Sequence, residues 1–211
     1  MVFSIFDNME RCTPDEVQRL LLLVSSQRRE QALRFKHTAG QFACLKSFVM
    51  LTELLAQQGI TLPSTAEFIY NEHGKPRLKE YPNIHFNLSH CKNAIAVAMD
   101  SQPVGIDVER FVSPSDSLLR YTLNDEELEE VRQSASPEQT FSMLWTRKEA
   151  ISKLHGTGLN NNLKQMLTNL PADIRLDSSV NTEKCYVCTI AYYAEPISSQ
   201  RREAGRCSLS L

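Results

Sequence analysis

Several features are scarce in this chain of 211 residues, and each scarcity closes off a class of protein. The formal net charge is only −2, so there is no broad basic surface of the kind that binds nucleic acid or an acidic membrane. An anionic ligand must then be held by a local cluster of bases. No uninterrupted apolar run approaches the roughly 18 residues of a spanning helix, so no membrane segment is expected. The opening residues Met1-Val-Phe-Ser-Ile-Phe6-Asp7 lack a basic stretch followed by a long apolar one. They read as a first strand over Val2 to Phe6 and not as a secretory signal. Six cysteines, at 12, 44, 91, 185, 188 and 207, show no disulfide-scaffold rhythm. Cys185-x-x-Cys188 has no second pair or His pair to complete a zinc site. Reduced thiols in a cytoplasmic protein are therefore expected. There is no internal repeat and no low-complexity tract, and Trp145 is the single tryptophan.

What is present is an ordinary globular balance, 42% hydrophobic and 23% charged residues, enough to bury the core of one large domain or two small ones. The first 60 or so residues are mostly helical in pattern. Thr13-Pro14-Asp15-Glu16 has the form of a capping box. A basic helical segment runs from Arg28 to His37, and a longer apolar helix from about Gln41 to Gln57 stops at Gly59. The period then switches to two. Glu67 to Tyr70 reads as a strand and Asn71 to Pro76 as a turn. Ile84 to Leu88 and Ala94 to Met99 read as strands joined by Ser89-His90-Cys91-Lys92-Asn93, and Val104 to Glu109 as a third. Pro114 to Leu123 is mixed and apolar-tipped, and Asn124-Asp-Glu-Glu127 caps a helix. Weak strand signals near 173–178 and 185–193 follow. Helices first and short strands afterwards predict an α+β fold.

Three stretches carry chemistry. In Gly105-Ile106-Asp107-Val108-Glu109 strict alternation places two carboxylates on one face, beside a glycine that leaves room for a ligand. Carboxylate oxygens at that spacing suit a hard cation such as Mg2+. Asn87-Leu88-Ser89-His90, with Lys92 close by, offers a hydroxyl and an imidazole to a phosphate. The segment from Phe141 to Lys153 starts at Ser136-Pro137-Glu138-Gln139, a helix-start signal. It puts Phe141, Leu144, Trp145, Ile151 and Leu154 on one buried arc, with Glu149 and Lys153 sharing a face at its border. Each motif alone also fits a bland reading, such as a solvated Glu–Lys pair, a half-buried strand, a structural histidine, or a turn with an exposed Lys75.

In combination they resemble the 4′-phosphopantetheinyl transferase superfamily. The shared patterns are Gly105-Ile106-Asp107-Val108-Glu109 and, some forty residues on, Trp145-Thr-Arg-Lys148-Glu149-Ala-Ile-Ser-Lys153. Gly74-Lys75-Pro76, Phe86-Asn87-Leu88-Ser89-His90 and Gly156-x-Gly158-Leu159 match the longer, surfactin-synthetase-activating (Sfp-like) type. The resemblance spans roughly residues 20 to 160. It implies an intramolecular pseudo-dimer of two similar α/β halves, 1–102 and 103–211, with coenzyme A as substrate in the cleft between them. The implied reaction moves the phosphopantetheine arm to a serine of an apo acyl or peptidyl carrier protein and releases adenosine 3′,5′-bisphosphate. It also implies Mg2+, or Mn2+, on Asp107, Glu109 and Glu149, with Glu149 or a water it holds as base and Lys153 at the pyrophosphate. Arg28, Lys75, Ser89 and His90 are implied to hold coenzyme A. The chain departs from the pattern at Gln31, Ala43 and Cys44, which would shift contacts to Lys36, His37 or Lys46. A monomer without nucleic-acid or membrane partners is expected. The carrier is expected to dock on 111–123 through Phe111, Val112, Leu118, Leu119 and Tyr121. The rival readings are a non-catalytic module binding coenzyme A or a carrier, and a metal-dependent pyrophosphohydrolase.

Overall fold

Local capping chemistry decides where most of the helices begin. The computed structural model describes residues 1–63, 66–158 and 162–194; Leu159 and Cys207 lie outside them. Helix α1 (Pro14–Leu21) starts where the Thr13 hydroxyl accepts the Glu16 amide. The reciprocal half of the predicted capping box is not made. Arg19 and Arg11 hold the Glu16 carboxylate instead, and the Arg19 hydrogen bond above all pulls its pKa down. Ser25 caps α2 (Ser26–Leu33), and α3 (Thr38–Gln57) ends just before Gly59, whose φ of 74° suits glycine. An 18-residue window of α3 has mean hydropathy 1.2, apolar enough to cross a membrane by length and composition, which counting uninterrupted runs does not detect. Yet 61% of it is buried inside the protein. Phe42, Leu45, Leu51 and Leu55 on this helix are fully buried in the core of the first half.

Strand β1 (Val2–Phe6) precedes these helices, and β2 (Phe68–Tyr70), β3 (Pro76–Leu78), β4 (His85–His90), β5 (Ile95–Asp100) and β6 (Val104–Arg110) follow them. Next come α4 (Asp116–Thr122), α5 (Asp125–Gln133) and α6 (Pro137–His155), then β7 (Ile174–Asn181) and β8 (Tyr186–Tyr193). A full capping box between Asn124 and Glu127 starts α5. The strands form three small antiparallel sheets, ordered β1-β5-β4, β2-β3 and β6-β8-β7. Six α-helices with these sheets, among the described residues, make the α+β class expected. Ser89 and His90, expected in a loop, continue β4, because pairing with Ala96 and Ile95 extends the ladder over them. Trp145, expected in the buried arc, is only partly buried and stacks on Phe141 with ring centroids 6.4 Å apart.

Strand β6 is buried on both faces. Val104, Ile106 and Val108 pack with Ala94, Ala96 and Ala98 of the first half. On the other face Gly105 lies against α6. A Cβ at Gly105 would stand 2.0 Å from the Ala150 carbonyl oxygen and 2.4 Å from the Leu154 nitrogen. The room this glycine makes is therefore filled by helix backbone, not by a ligand, which corrects the reading from sequence. Both obstructing atoms are main chain, so the helix as a whole would have to move. Gly105→Ala is expected to destabilise the fold by about 1–3 kcal/mol or more, the range for overpacking. Denaturant unfolding measures this, and an unchanged midpoint would show that α6 can retreat freely.

Candidate functional site

The site grows from the place where the edges of two sheets meet. Strand β4 is an outer strand of its sheet, and so is β6. They are joined by side chains. The Ile106 amide donates to Asn87 Oδ1 at 3.1 Å, and the Val108 amide donates to Ser89 Oγ at 3.3 Å. Ser89 in turn donates to Asp107 Oδ1 at 2.8 Å. From α6, Lys153 Nζ reaches Asp107 Oδ1 at 2.6 Å and Ser89 Oγ at 2.9 Å. Two donors, from β4 and α6, thus converge on one carboxylate oxygen of β6.

The electrostatics at this point are unbalanced. Asp107 is 2% exposed, and its Oδ2 is buried with no hydrogen-bond partner among the described residues. Burial, then repulsion from Asp107 and to a lesser degree Glu149, pushes the Glu109 carboxyl up to about 7, with Lys153 opposing. Burial and Asp107 likewise raise Glu149. The exposed His90 imidazole is held low, first by local desolvation and then by the Lys153 ammonium. Three carboxylates thus share the field of one ammonium, a pattern associated with functional sites.

Asp107, Glu109 and Glu149 do not form a ready-made metal triad. Among the described residues no three metal-ligating side chains stand close enough together to hold an ion, and Lys153 occupies the Asp107 oxygen. The donor set nonetheless fits a hard divalent cation. It is all carboxylate, it is over-negative, and one buried oxygen has nothing to accept from among the described residues.

A cleft of about 280 Å3 adjoins these groups, lined from the first half by His73, Gly74, Lys75 and Leu88 and from the second by Glu149 and Lys153. Two residues implied to hold coenzyme A are otherwise engaged. Arg28 is 5% exposed, with its guanidinium 4.7 Å from the Phe68 ring centroid and 5.1 Å from that of Phe48. It donates to Cys44 Sγ at 3.7 Å, and the neighbouring departure Gln31 accepts from the Tyr70 hydroxyl. Burial among aromatic rings, where a cation is favourable, turns Arg28 away from the surface. Lys75 donates to three main-chain oxygens, those of Val104, Lys153 and Leu154. The turn that carries it does line the cleft; its ammonium is bound to protein.

One residue was passed over in the sequence. Lys148 is 0% exposed, and its Nζ lies 2.6 Å from Glu127 Oε2 and 2.7 Å from the Thr122 carbonyl oxygen. Burial lowers its pKa while Glu127 opposes that shift. The signal was available, because Lys148 falls in the same helical stripe as Phe141, Leu144 and Ile151. It ties the junction of α4 and α5 to the middle of α6, one residue before Glu149.

With this geometry in view, comparison with known proteins identifies the class. A family model described as the 4′-phosphopantetheinyl transferase superfamily matches residues 103–195. The 4′-phosphopantetheinyl transferase Sfp of Bacillus subtilis is 29% identical over 186 residues, covering 86% of this chain and 82% of that protein. The 4′-phosphopantetheinyl transferase psf-1 of Bacillus pumilus is 30% identical over 161 residues, covering 75% and 69%. AcpT of Salmonella typhimurium, also a 4′-phosphopantetheinyl transferase, is 33% identical over 132 residues, covering 59% and 64%. The chain belongs to the 4′-phosphopantetheinyl transferase superfamily.

Glu127→Ala would leave the Lys148 ammonium buried without its counter-charge. It is expected to cost roughly 3–5 kcal/mol of stability. Replacing both partners, Glu127→Leu with Lys148→Met, is expected to cost less than the single change. Equilibrium unfolding of the two variants compares them, and equal losses would mean that the pair is not what is being measured.

Proposed function

We propose that this protein transfers the 4′-phosphopantetheine arm of coenzyme A to a serine of an apo acyl or peptidyl carrier protein, with Mg2+ (or Mn2+) bound, and releases adenosine 3′,5′-bisphosphate. The observation that carries the reading is the convergence of Lys153, Ser89 and Asp107 beside two further carboxylates, at a cleft lined by both halves of the chain. Such a site suits a pyrophosphate held together with a cation. The two halves, 1–102 and 103–211, are read as a pseudo-dimer with the substrate between them.

In this reading Asp107, Glu109 and Glu149 hold the metal, whose contribution is to neutralise charge on the pyrophosphate. The serine oxygen of the carrier forms a bond to the phosphorus bearing the pantetheine arm, and the bond from that phosphorus to the bridging oxygen breaks. Glu149 takes the serine proton directly or through a water it holds. Lys153, which the same Asp107 orients, stabilises the departing phosphate, and Ser89 and His90 line its binding site.

The carrier is read as docking on α4. Leu119 and Val112 pack internally, whereas Leu118 and Tyr121 remain 38% and 63% exposed, so the latter two are the anchors. Leu118→Asp is expected to weaken carrier binding while leaving coenzyme A binding unchanged, as titration of each partner would record.

The direct test is intact-mass measurement of an apo carrier protein incubated with this protein, coenzyme A and Mg2+. A gain of one phosphopantetheine arm is expected. EDTA abolishes it, and Asp107→Ala slows it on the order of a hundredfold or more, the loss of several kcal/mol of charge stabilisation. Free pantetheine 4′-phosphate beside an unmodified carrier would make the protein a pyrophosphohydrolase. Coenzyme A bound but not consumed would make it a binding module.

A further inference from the structure

We propose that Lys75 is a positioning residue for Lys153. It caps the carboxyl end of α6 from the other half of the chain, and so fixes the backbone from which the Lys153 ammonium reaches Asp107. The inference rests on the transferase reading for the meaning of a change in turnover; the geometry stands apart from it.

The carboxyl end of a helix leaves main-chain carbonyls without intrahelical partners and carries the negative end of the helix dipole. Lys75 Nζ answers both. It lies 2.6 Å from the Lys153 oxygen, 3.0 Å from that of Leu154 and 3.2 Å from that of Val104. Three ammonium hydrogens meet three acceptors. Val104 opens β6, the strand of Asp107, so one cation ties together the backbones that carry both members of the Lys153–Asp107 pair.

The turn that presents Lys75 is built for this contact. Asn71 Oδ1 accepts the amides of His73 and Lys75, at 3.0 and 2.8 Å, and its Nδ2 donates to the Gly156 carbonyl at 2.9 Å. Gly156 ends α6 in the left-handed region at φ 70°. A Cβ there would meet Lys75 Cδ at 2.9 Å, so this glycine both turns the chain and lets the lysine pass. Burial and Arg77 pull the Lys75 ammonium down to about 8, while the three carbonyls favour keeping its proton. A lysine that gripped a ligand phosphate would have to abandon all three.

Capping and gripping separate experimentally. Removing a cap misplaces Lys153 and lowers turnover, whereas removing a grip weakens coenzyme A binding. Lys75→Met keeps the apolar stem and removes the cation. Its turnover number is expected to fall by about tenfold to a hundredfold, the scale of a small misplacement of a reacting group. The Kd for coenzyme A by calorimetry should change less than about twofold, since the ammonium is held by three main-chain oxygens and is not offered to the cleft. Deuterium uptake by the amides of 152–158 should rise. A coenzyme A Kd weakened tenfold or more at unchanged turnover would overturn the proposal, and so would no change in any of the three readouts. If Lys75→Met does not fold, Asn71→Ser, which loses the Gly156 contact and loosens the turn that presents Lys75, should show the same signature at smaller amplitude. A loss of coenzyme A binding there would equally overturn it. Wild-type protein that labels no carrier would sink the transferase reading alone, because faster exchange at the end of α6 in Lys75→Met still tests the cap.

Discussion

Two sheet edges that meet through side chains, and not through a main-chain ladder, hold this structure together. An open strand edge leaves amides that must find partners once buried. At β6 the amides of Ile106 and Val108 find them in Asn87 and Ser89 of β4. Each such bond contributes only about 1 kcal/mol net, but leaving a buried amide unmet costs more. The arrangement is therefore enforced mainly by the penalty for its absence. These short side chains bridge the two strands, and one of them, Ser89, also donates to the Asp107 carboxylate. The one Ser89 hydroxyl accepts from Val108 and Lys153 and donates to Asp107, so the group that joins the two sheets also orients the site.

The second half of the site depends on α6 standing close to β6 and staying there. Gly105 permits the approach, since nothing larger clears the helix backbone. Lys148 anchors the middle of the helix from within. Its charge is matched by Glu127 at 2.6 Å, so the pair adds no net charge beside the cleft. Lys153, five residues on, has the opposite setting, because one ammonium faces Asp107, Glu109 and Glu149. Two lysines on one helix thus do different work, and the difference lies wholly in how many carboxylates each one meets.

This division shows what the sequence could and could not disclose. Helix starts at Thr13, Asn124 and Pro137 were legible because capping and proline act over a few residues of chain. Alternation along 104–109 correctly set Val104, Ile106 and Val108 apart from Asp107, because period two is a property of the strand itself. It could not say that the second face is also buried, since that follows from α6 packing on it. Ser89 and His90 read as loop because their local preferences favour turns, and the ladder with β5 overrides them. The resemblance alone implied coenzyme A contacts for Arg28 and Lys75, since nothing in the local sequence says which of its possible partners a basic side chain meets. Only the positions of Phe48 and Phe68 in one case, and of three carbonyls in the other, decide among them.

The charge balance explains why a protein of net charge −2 need not be a poor host for a polyanion. Bringing a pyrophosphate to three carboxylates would be repulsive, and Lys153 alone cannot reverse the sign. Asp107 Oδ2, buried and with no partner among the described residues, marks where the arrangement lacks a positive charge. A cation bound there under the proposed reaction would satisfy that oxygen and relieve the repulsion that raises Glu109 and Glu149. The carboxylates would then serve as ligands and not as obstacles. Affinity for the anion would depend on metal and substrate arriving together, and a site that stays over-negative until both are present would not bind stray phosphates for want of the metal.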